Sequence, residues 1–513
     1  MTAMPALDGE RGQYNRVTER SPSRAEYGAR RTGCVPRASE LNSRYDRKGS
    51  VVHLDPDMAV RDGHLVFDGV DVAALARQVE TPFFLYAAAR IRWNVSALVN
   101  AFTRRHLDTE LFYASKACSN LWFLDQVRRT GINVEVNSGG ELWKALRVGF
   151  APRQILFNGV AKTVTEIRTA VDEGVRALVV DSRFELERIA EVARAAGKPA
   201  RVSLRVDVDV PTLTHPGLMT THGGKAGIDL DEALDAFAFA RSHAYLRPRG
   251  LHLHIGSQIT SVEPYRRALQ VGLDLIDQVE AGTGLRLDHL IAGGGFAVPY
   301  REAPACEPKD YFCSTLTPDD YAEAICDVLE RRRPGLKLLL EPGRSIAAST
   351  ALLVTTVENT KVKGIRDPSG RRVDDERWLT IDAGFNTLLE HTNYHWYYRT
   401  MAASRADEPA DTRFRLAGPL CDGGDVFAGD DETPYRMLPA ATAPGDVVVF
   451  FDAGAYALEL MNPYNARPRA AAYAVHDGEV GLIRTPESFD ELVASDVRPG
   501  VGTARRRSTG PRA

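Results

Sequence analysis

From about residue 110 to 343, short apolar, β-branched runs alternate with longer segments in which apolar residues recur at helical spacing. The apolar runs are Leu111–Ser115, Val134–Ser138, Gln154–Gly159, Ala177–Ser182, Arg201–Val210, Gly250–Ser257, His289–Gly295 and Leu336–Gly343. Between them lie helix-like stretches, among them Leu121–Thr130, Glu141–Val148, Thr163–Glu173, Phe184–Ala196 and Pro264–Glu280. Eight strands alternating with helices predict an α/β fold, a parallel (β/α)8 barrel, with a doubly wound open sheet as the second choice. In a barrel, the chemistry belongs at the C-terminal ends of the strands.

After about residue 346 the texture changes. Leu352–Glu358, Trp378–Asp382, Val447–Asp452 and Ala471–Val475 are strand-like and separated by Gly, Pro and Asp, which predicts a mainly β second domain. His64–Phe67 and Thr81–Tyr86 are read as strands joining that domain, so that the two halves interweave. The expected division is a tail over 1–55, joining strands over 56–85, the barrel over 86–345, the β domain over 346–495 and a tail over 496–513. Both tails are rich in Arg, Ser and Gly without apolar period and are expected to be disordered. The arginines of the first could touch an anionic partner, but a solvated extension is the simpler reading.

The net charge of −4 over 513 residues gives no sign of a nucleic-acid or membrane-surface partner. No apolar run is long enough to span a bilayer and no signal-peptide core opens the chain, so a cytoplasmic location is expected. Six cysteines are scattered without Cys-x-x-Cys pairs, which argues against a zinc knuckle and a disulfide framework.

The strand ends carry the candidate chemistry. Lys116 follows the first apolar run, where desolvation would lower its amine pKa and favour Schiff-base formation; an ordinary surface lysine is the plain alternative. In Gly250-Leu-His-Leu-His-Ile-Gly-Ser-Gln258, alternation puts His252 and His254 on one face. Metal binding is discounted there because no third ligand has suitable spacing, and a satisfied core histidine remains open. Gly293, Gly294 and Gly295 could bring backbone N–H groups up to an anion, or simply make a tight turn. Glu341 needs a cationic partner if buried, such as a protonated pyridine nitrogen, and Arg344 offers a fork for a carboxylate or phosphate; a mutual Glu341–Arg344 ion pair is the alternative. A lysine, an imidazole, a phosphate nest and a carboxylate on successive strand ends suit an aromatic aldehyde phosphate with a ring nitrogen.

The motifs Tyr113-Ala-Ser-Lys116, His252-Leu-His-Ile-Gly-Ser-Gln258, Gly293-Gly-Gly295, Glu341-Pro-Gly-Arg344, Cys421-Asp-Gly-Gly-Asp425, Gly454-Ala-Tyr456 and Tyr464-Asn-Ala-Arg-Pro-Arg469 stand in the order found in a known family. From about Asp62 to Asp496 the chain resembles the alanine-racemase-fold (fold type III) decarboxylases, the diaminopimelate and ornithine decarboxylase group. Through Leu416–Asp425 it looks most like bacterial enzymes acting on D-ornithine and D-lysine. The resemblance implies pyridoxal 5'-phosphate as cofactor, a small amino-acid substrate and a homodimer with shared active sites. It implies that Lys116 carries the cofactor and His254 stacks on its ring, while Ser257, Gly293–Gly295 and Tyr456 hold the phosphate. Glu341 would pair with the ring nitrogen, and Arg344 would face the phosphate or a substrate carboxylate. Cys421 and Asp422 would enter the partner's site, Cys421 to protonate the carbanion and Asp422 to bind a distal amine.

Two positions depart from the family's pattern. Glu135 stands where Asp is common. After Asp382-Ala-Gly384, where diaminopimelate enzymes carry an arginine for the distal carboxylate, this chain has an acid, Glu390. Losing a charged bidentate contact is a multi-kcal/mol effect, so a substrate ending in an ammonium, bound by Asp422 and Glu390, is favoured. The expected activity is therefore decarboxylation of a D-configured basic diamino acid, with meso-diaminopimelate decarboxylation to L-lysine as the alternative. Glu341 speaks against racemization, because racemases of this fold pair the ring nitrogen with arginine. The retained lysine and cofactor positions speak against a non-catalytic, partner-binding homologue.

Overall fold

The computed structural model describes residues 57–496 except 213, 222–223, 302–310, 429–434 and 477, so the expected tails over 1–55 and, past its first residue, 496–513 lie outside the described residues. Eight parallel strands close on themselves: β1 (Thr109–Ala114), β2 (Asn133–Val136), β3 (Ile155–Phe157), β4 (Ala177–Val180), β5 (Ala200–Asp207), β6 (Leu246–His252), β7 (His289–Ile291) and β8 (Lys337–Leu340). Each pairs with the next, and Leu338–Leu340 of β8 pairs with Thr109–Leu111 of β1 to shut the ring. The open-sheet alternative is thereby excluded.

Alternation along these strands sorts their side chains. Phe112, Leu156, Ala177, Val179, Ile291 and Leu339 form one small apolar cluster. Their sequence neighbours, such as Leu111, Tyr113, Ile155, Phe157, Leu178 and Val180, belong to the large core shared with the helices. Glu135 lies between Val134 and Val136 of that large core and is itself buried, so its carboxylate faces the inside of the ring.

The apolar runs overshoot several strands because the residues past each end cap the next helix. Ser138 Oγ accepts from Glu141 N at 3.2 Å and Ser182 Oγ from Glu185 N at 3.1 Å, each starting a helix (Gly139–Val148 and Arg183–Ala196). The sixth strand begins four residues earlier than its apolar run, hidden behind the Arg-Pro-Arg of 247–249. Three further helices, Ala88–Thr103, Ala233–Ser242 and Pro318–Arg332, complete the alternation.

The second part is built on the long strand Ala351–Arg366, which pairs antiparallel with Phe83–Ala87, Arg372–Ile381 and Val447–Phe450. Phe83–Ala87 also pairs parallel with Ala471–His476, so a segment from before the barrel does enter this sheet. His64–Phe67 does not. It forms a separate three-stranded sheet with Met58–Arg61 and Val70–Asp71. The reason is local: Asp62-Gly63 and Asp68-Gly69 both take positive φ, which folds the chain back on itself twice. Leu65 and Phe67 still pack with Leu352 and Val354 of the long strand.

Among the described residues no helix is long and apolar enough to cross a membrane. Cys118, Cys326 and Cys421 are free, whereas Cys313 is disulfide-bonded, which the scatter of cysteines did not anticipate.

Candidate active site

The C-terminal ends of β1, β2, β5, β6 and β8 bring charged and imidazole side chains to one end of the ring. Past β1 the turn Ser115–Ala117 carries Lys116, and Ala114 N–H donates to Pro342 O at 3.0 Å, tying this turn to the end of β8. Tyr456 sits at φ +58 and its N–H donates to Ala117 O at 2.7 Å, bringing the Gly454–Tyr456 loop of the β domain onto the lysine turn. Burial works to lower the Lys116 amine, but Glu135, Tyr456 and Glu341 raise it by more. The expected depression of its pKa is therefore wrong in sign: the desolvation is present, and two buried carboxylates outweigh it.

Both carboxylates are pushed up by burial, against the pull of Lys116, and in the case of Glu341 of Arg205 as well. Glu341 Oε2 lies 2.9 Å from His252 Nε2. Burial, helped by Arg205 and Lys116, holds both His252 and His254 well below the usual imidazole value, so both are neutral. The Glu341–His252 contact is thus a hydrogen bond to a neutral ring rather than an ion pair. Asn158 Nδ2 stands 3.4 Å from the same His252 nitrogen.

The Gly293–Gly295 turn needs its glycines. Gly293 and Gly295 have φ of +69 and +88. A Cβ on Gly294 would lie 2.1 Å from Glu341 O, and one on Gly295 2.2 Å from Gly256 O. His254 packs against this turn, with Gly294 N–H pointing at its Nδ1 at 3.4 Å. Ser257, at the same end, accepts from Arg344 Nε at 3.4 Å.

Arg344 does not meet Glu341. Its Nη2 donates to Glu390 Oε1 at 2.8 Å and its Nη1 to Glu390 Oε2 at 3.0 Å, with Tyr300 Oη a further acceptor at 3.2 Å. Both partners are buried, and the guanidinium lies 4.2 Å from the Trp396 ring and 4.5 Å from the Tyr456 ring. This corrects two expectations. Glu390 is not an open acceptor for an ammonium, and Arg344 is not an unpaired fork. The pairing arises because the short helix Leu389–Tyr394 aims Glu390 into the site.

Cys421 and Asp422 are exposed on a loop that Asp425 shapes by accepting from Leu420 N and Phe385 N, both at 2.8 Å. Their own contacts run to Asn465 and Tyr464: Cys421 N–H donates to Asn465 Oδ1 at 2.7 Å, and Tyr464 Oη donates to Asp422 Oδ2 at 3.4 Å. Within this chain the structure therefore gathers Lys116, His254, Ser257, Gly293–Gly295, Glu341, Arg344, Glu390 and Tyr456, and leaves Cys421 and Asp422 at the surface.

Sequence reasoning passed over Arg205, Asn158 and the aromatic wall of Tyr300, Trp396 and Tyr398. Arg205 had a usable signal, a lone cation near the end of an apolar strand run. The aromatic residues had none, since a ring in a loop reads as ordinary core.

The residues fit a pyridoxal group. Glu341 Oε1, Glu135 Oε1 and His252 Nδ1 are buried without a hydrogen-bond partner among the described residues, an unusual concentration of unmet polar atoms around one lysine. Glu341 Oε1 suits a protonated ring nitrogen, and a three-glycine turn packed this closely on the ends of β6 and β8 is of the kind whose backbone can approach a phosphate. Among the described residues no group of three or more His, Cys, Asp or Glu could hold a metal ion.

Residues 89–348 match the family of the pyridoxal-dependent decarboxylase, pyridoxal binding domain. The chain is 34% identical over 443 residues to the diaminopimelate decarboxylase of Archaeoglobus fulgidus, covering 85% of this chain and 98% of that one. It is 35% identical over 438 residues to that of Pseudomonas aeruginosa, covering 85% and 97%. The crystal structure of M. jannaschii diaminopimelate decarboxylase in co-complex with L-lysine superimposes with a TM-score of 0.77 at 30% identity, over 86% of this chain and 98% of that chain. That of SrLDC in complex with PLP and cadaverine gives 0.64 at 26%, over 79% and 92%. The A. fulgidus, P. aeruginosa and M. jannaschii relatives are named diaminopimelate decarboxylases rather than D-ornithine or D-lysine enzymes, which corrects the finer likeness read from Leu416–Asp425. The closed barrel, the β domain and the extent of these matches agree: the chain belongs to the fold type III pyridoxal-dependent decarboxylases, the family that includes the diaminopimelate decarboxylases.

Proposed function

We propose that this enzyme removes the carboxylate at the D-configured centre of meso-diaminopimelate, leaving L-lysine. One observation carries the substrate: relatives matching 85% of the chain are named for it, and the M. jannaschii structure holds L-lysine, the molecule that remains when meso-diaminopimelate loses one carboxylate. Pyridoxal phosphate, when bound, supplies the electron sink that carbanion chemistry requires.

The chain's own residues then divide the work. Lys116 would hold the cofactor through its amine and, once a substrate amine takes its place, would be left as a free amine able to carry a proton. Glu341 keeps a proton at the ring nitrogen through its unmet Oε1, and His252 braces the other oxygen. A carboxylate fixed in a dry site is preorganised for the charge that develops in the reaction. His254 offers a neutral ring face beside the glycine turn, and Ser257, Gly293–Gly295 and Tyr456 receive the phosphate. The exposed Cys421 and Asp422 serve the neighbouring subunit of a homodimer, Cys421 returning a proton to the α-carbon and Asp422 holding the distal ammonium. The proposed division is a barrel over 86–345 and a β domain over 346–495, with the strand Phe83–Ala87 paired into the sheet of the β domain.

A second reading, a D-configured basic diamino acid such as D-ornithine or D-lysine, is favoured by Glu390, whose charge cancels that of Arg344. Carbon-dioxide release from meso-diaminopimelate, D-lysine, D-ornithine and the L-isomers decides between them. The expected result is the highest kcat/KM on meso-diaminopimelate. A higher value on either D-configured basic substrate overturns the first reading in favour of the second.

A further inference from the structure

All three nitrogens of the Arg344 guanidinium are engaged inside the protein, through four of its five N–H groups: Nε by Ser257, Nη1 by Tyr300 and Glu390, Nη2 by Glu390. Aromatic rings cover it, with Trp396 at 4.2 Å and Tyr456 at 4.5 Å. Tyr398 Oη adds a hydrogen bond to Glu390 Oε2 at 3.4 Å, so Glu390 is fixed from two sides. A carboxylate has about four acceptor sites. Three are used here, by Nη1, Nη2 and Tyr398. The pair sits at the edge of the active-site end of the barrel. Tyr456 both covers Arg344 and raises the Lys116 amine, and Glu390 lies close enough to His215, in the segment after β5, to act on its charge.

We propose that Glu390 is a specificity-determining residue that works by masking Arg344. The pair presents a net charge of zero where a free arginine would present a cation. A substrate carboxylate arriving here must displace Glu390 from the fork or sit beside a second anion. An ammonium or neutral end meets no such penalty, since it neither competes with Glu390 for the fork nor adds a second anion. This rests on the decarboxylase reading and deepens it: the Arg344–Glu390 pair adds nothing to the preference for a distal carboxylate and narrows it instead.

The test uses the holoenzyme and its Glu390→Gln variant, which keeps the side chain's shape and removes its charge. Two readouts are taken: the ratio of kcat/KM for meso-diaminopimelate to that for D-lysine, and the calorimetric Kd of pimelate, an unreactive dicarboxylate. In Glu390→Gln the ratio is expected to rise about tenfold or more and the pimelate Kd to fall by a similar factor, the scale of one charged hydrogen bond. A lesion that merely loosens the fold would lower both substrates alike, so movement in opposite directions is the diagnostic feature. Tyr398→Phe releases one brace on Glu390 without deleting a charge. It should shift both readouts in the same direction by about two- to threefold, a smaller step because the bond is long and the Arg344 pair stays in place. It carries the test should Glu390→Gln not load cofactor. An unchanged ratio and unchanged pimelate Kd overturn the masking role while leaving the proposed function intact. Failure of the wild-type holoenzyme to release carbon dioxide from either substrate overturns the substrate reading itself.

Discussion

Glu341 has two oxygens in different circumstances, one hydrogen-bonded to a neutral histidine and one buried with no partner among the described residues. An acceptor left unmet in the interior costs about 1–3 kcal/mol, so the site holds this atom ready at the expense of stability. Glu341→Gln keeps the volume and replaces the anion with a neutral amide. With cofactor still attached at Lys116, we expect kcat to fall about 10²–10³-fold, the range seen when one preorganised electrostatic contact is removed. Steady-state carbon-dioxide release measures it, and a loss under about fivefold would show that the ring nitrogen finds its proton elsewhere. Lys116 shows why the pKa of such a residue escapes sequence reading. Burial alone pointed to a depressed amine, and the opposite sign comes from carboxylates at 135 and 341, the first brought beside it by pairing of β2 with β1 and the second by closure of β8 onto β1.

At the scale of elements, the turn after β7 and the end of β8 behave as one unit. Glu341 N–H donates to Gly293 O at 2.7 Å, and Gly294 packs directly on Glu341 O. Gly294→Ala must push the two apart. We expect cofactor affinity to fall at least about tenfold and the chain to lose about 1–3 kcal/mol, the usual cost of overpacking. Cofactor titration and the urea midpoint report the two effects. Gly335→Ala is the control, because a Cβ there meets nothing within 4 Å, and equal losses in both variants would contradict the close-packing argument. This scale is also where the sequence was most legible. Apolar period and strand-end position located all eight barrel strands, Lys116, His254, the glycine turn and Glu341, because each obeys a local rule. The partners of Arg344 and Glu390 were not legible. Their contact spans 46 residues and depends on a six-residue helix aiming one side chain inward, which no local pattern encodes. His64–Phe67 was misassigned for the converse reason: two Asp-Gly turns satisfied the segment locally before it could join the larger sheet.

For the whole molecule, the raised carboxylates couple stability to pH. Glu341 is pushed by burial from 4.5 up to about 7, so between those values the folded cofactor-free chain binds more proton than the unfolded chain does. Stability contributed by this group is present in full below about 4.5 and is lost as pH rises toward about 7. The urea midpoint of the cofactor-free protein should therefore decline less steeply over that window in Glu341→Gln than in wild type, and parallel profiles would refute the assignment. The second consequence concerns assembly. Lys116 lies at the barrel mouth while Cys421 is exposed on the surface of the same chain. If the surface loop served its own chain's site, defects in Lys116 and Cys421 would never compensate between molecules. In a two-fold dimer with exchanged loops they must. Mixing Lys116→Ala with Cys421→Ala gives hybrids in which one site carries both lesions and the other neither. Each variant alone should be nearly inactive, and activity should return on mixing after reversible dissociation. Return must also depend on protein concentration, because dilution splits the pairs. Failure to regain activity, with hybrids verified by differential tagging, would assign both residues to one subunit and remove the ground for a shared site.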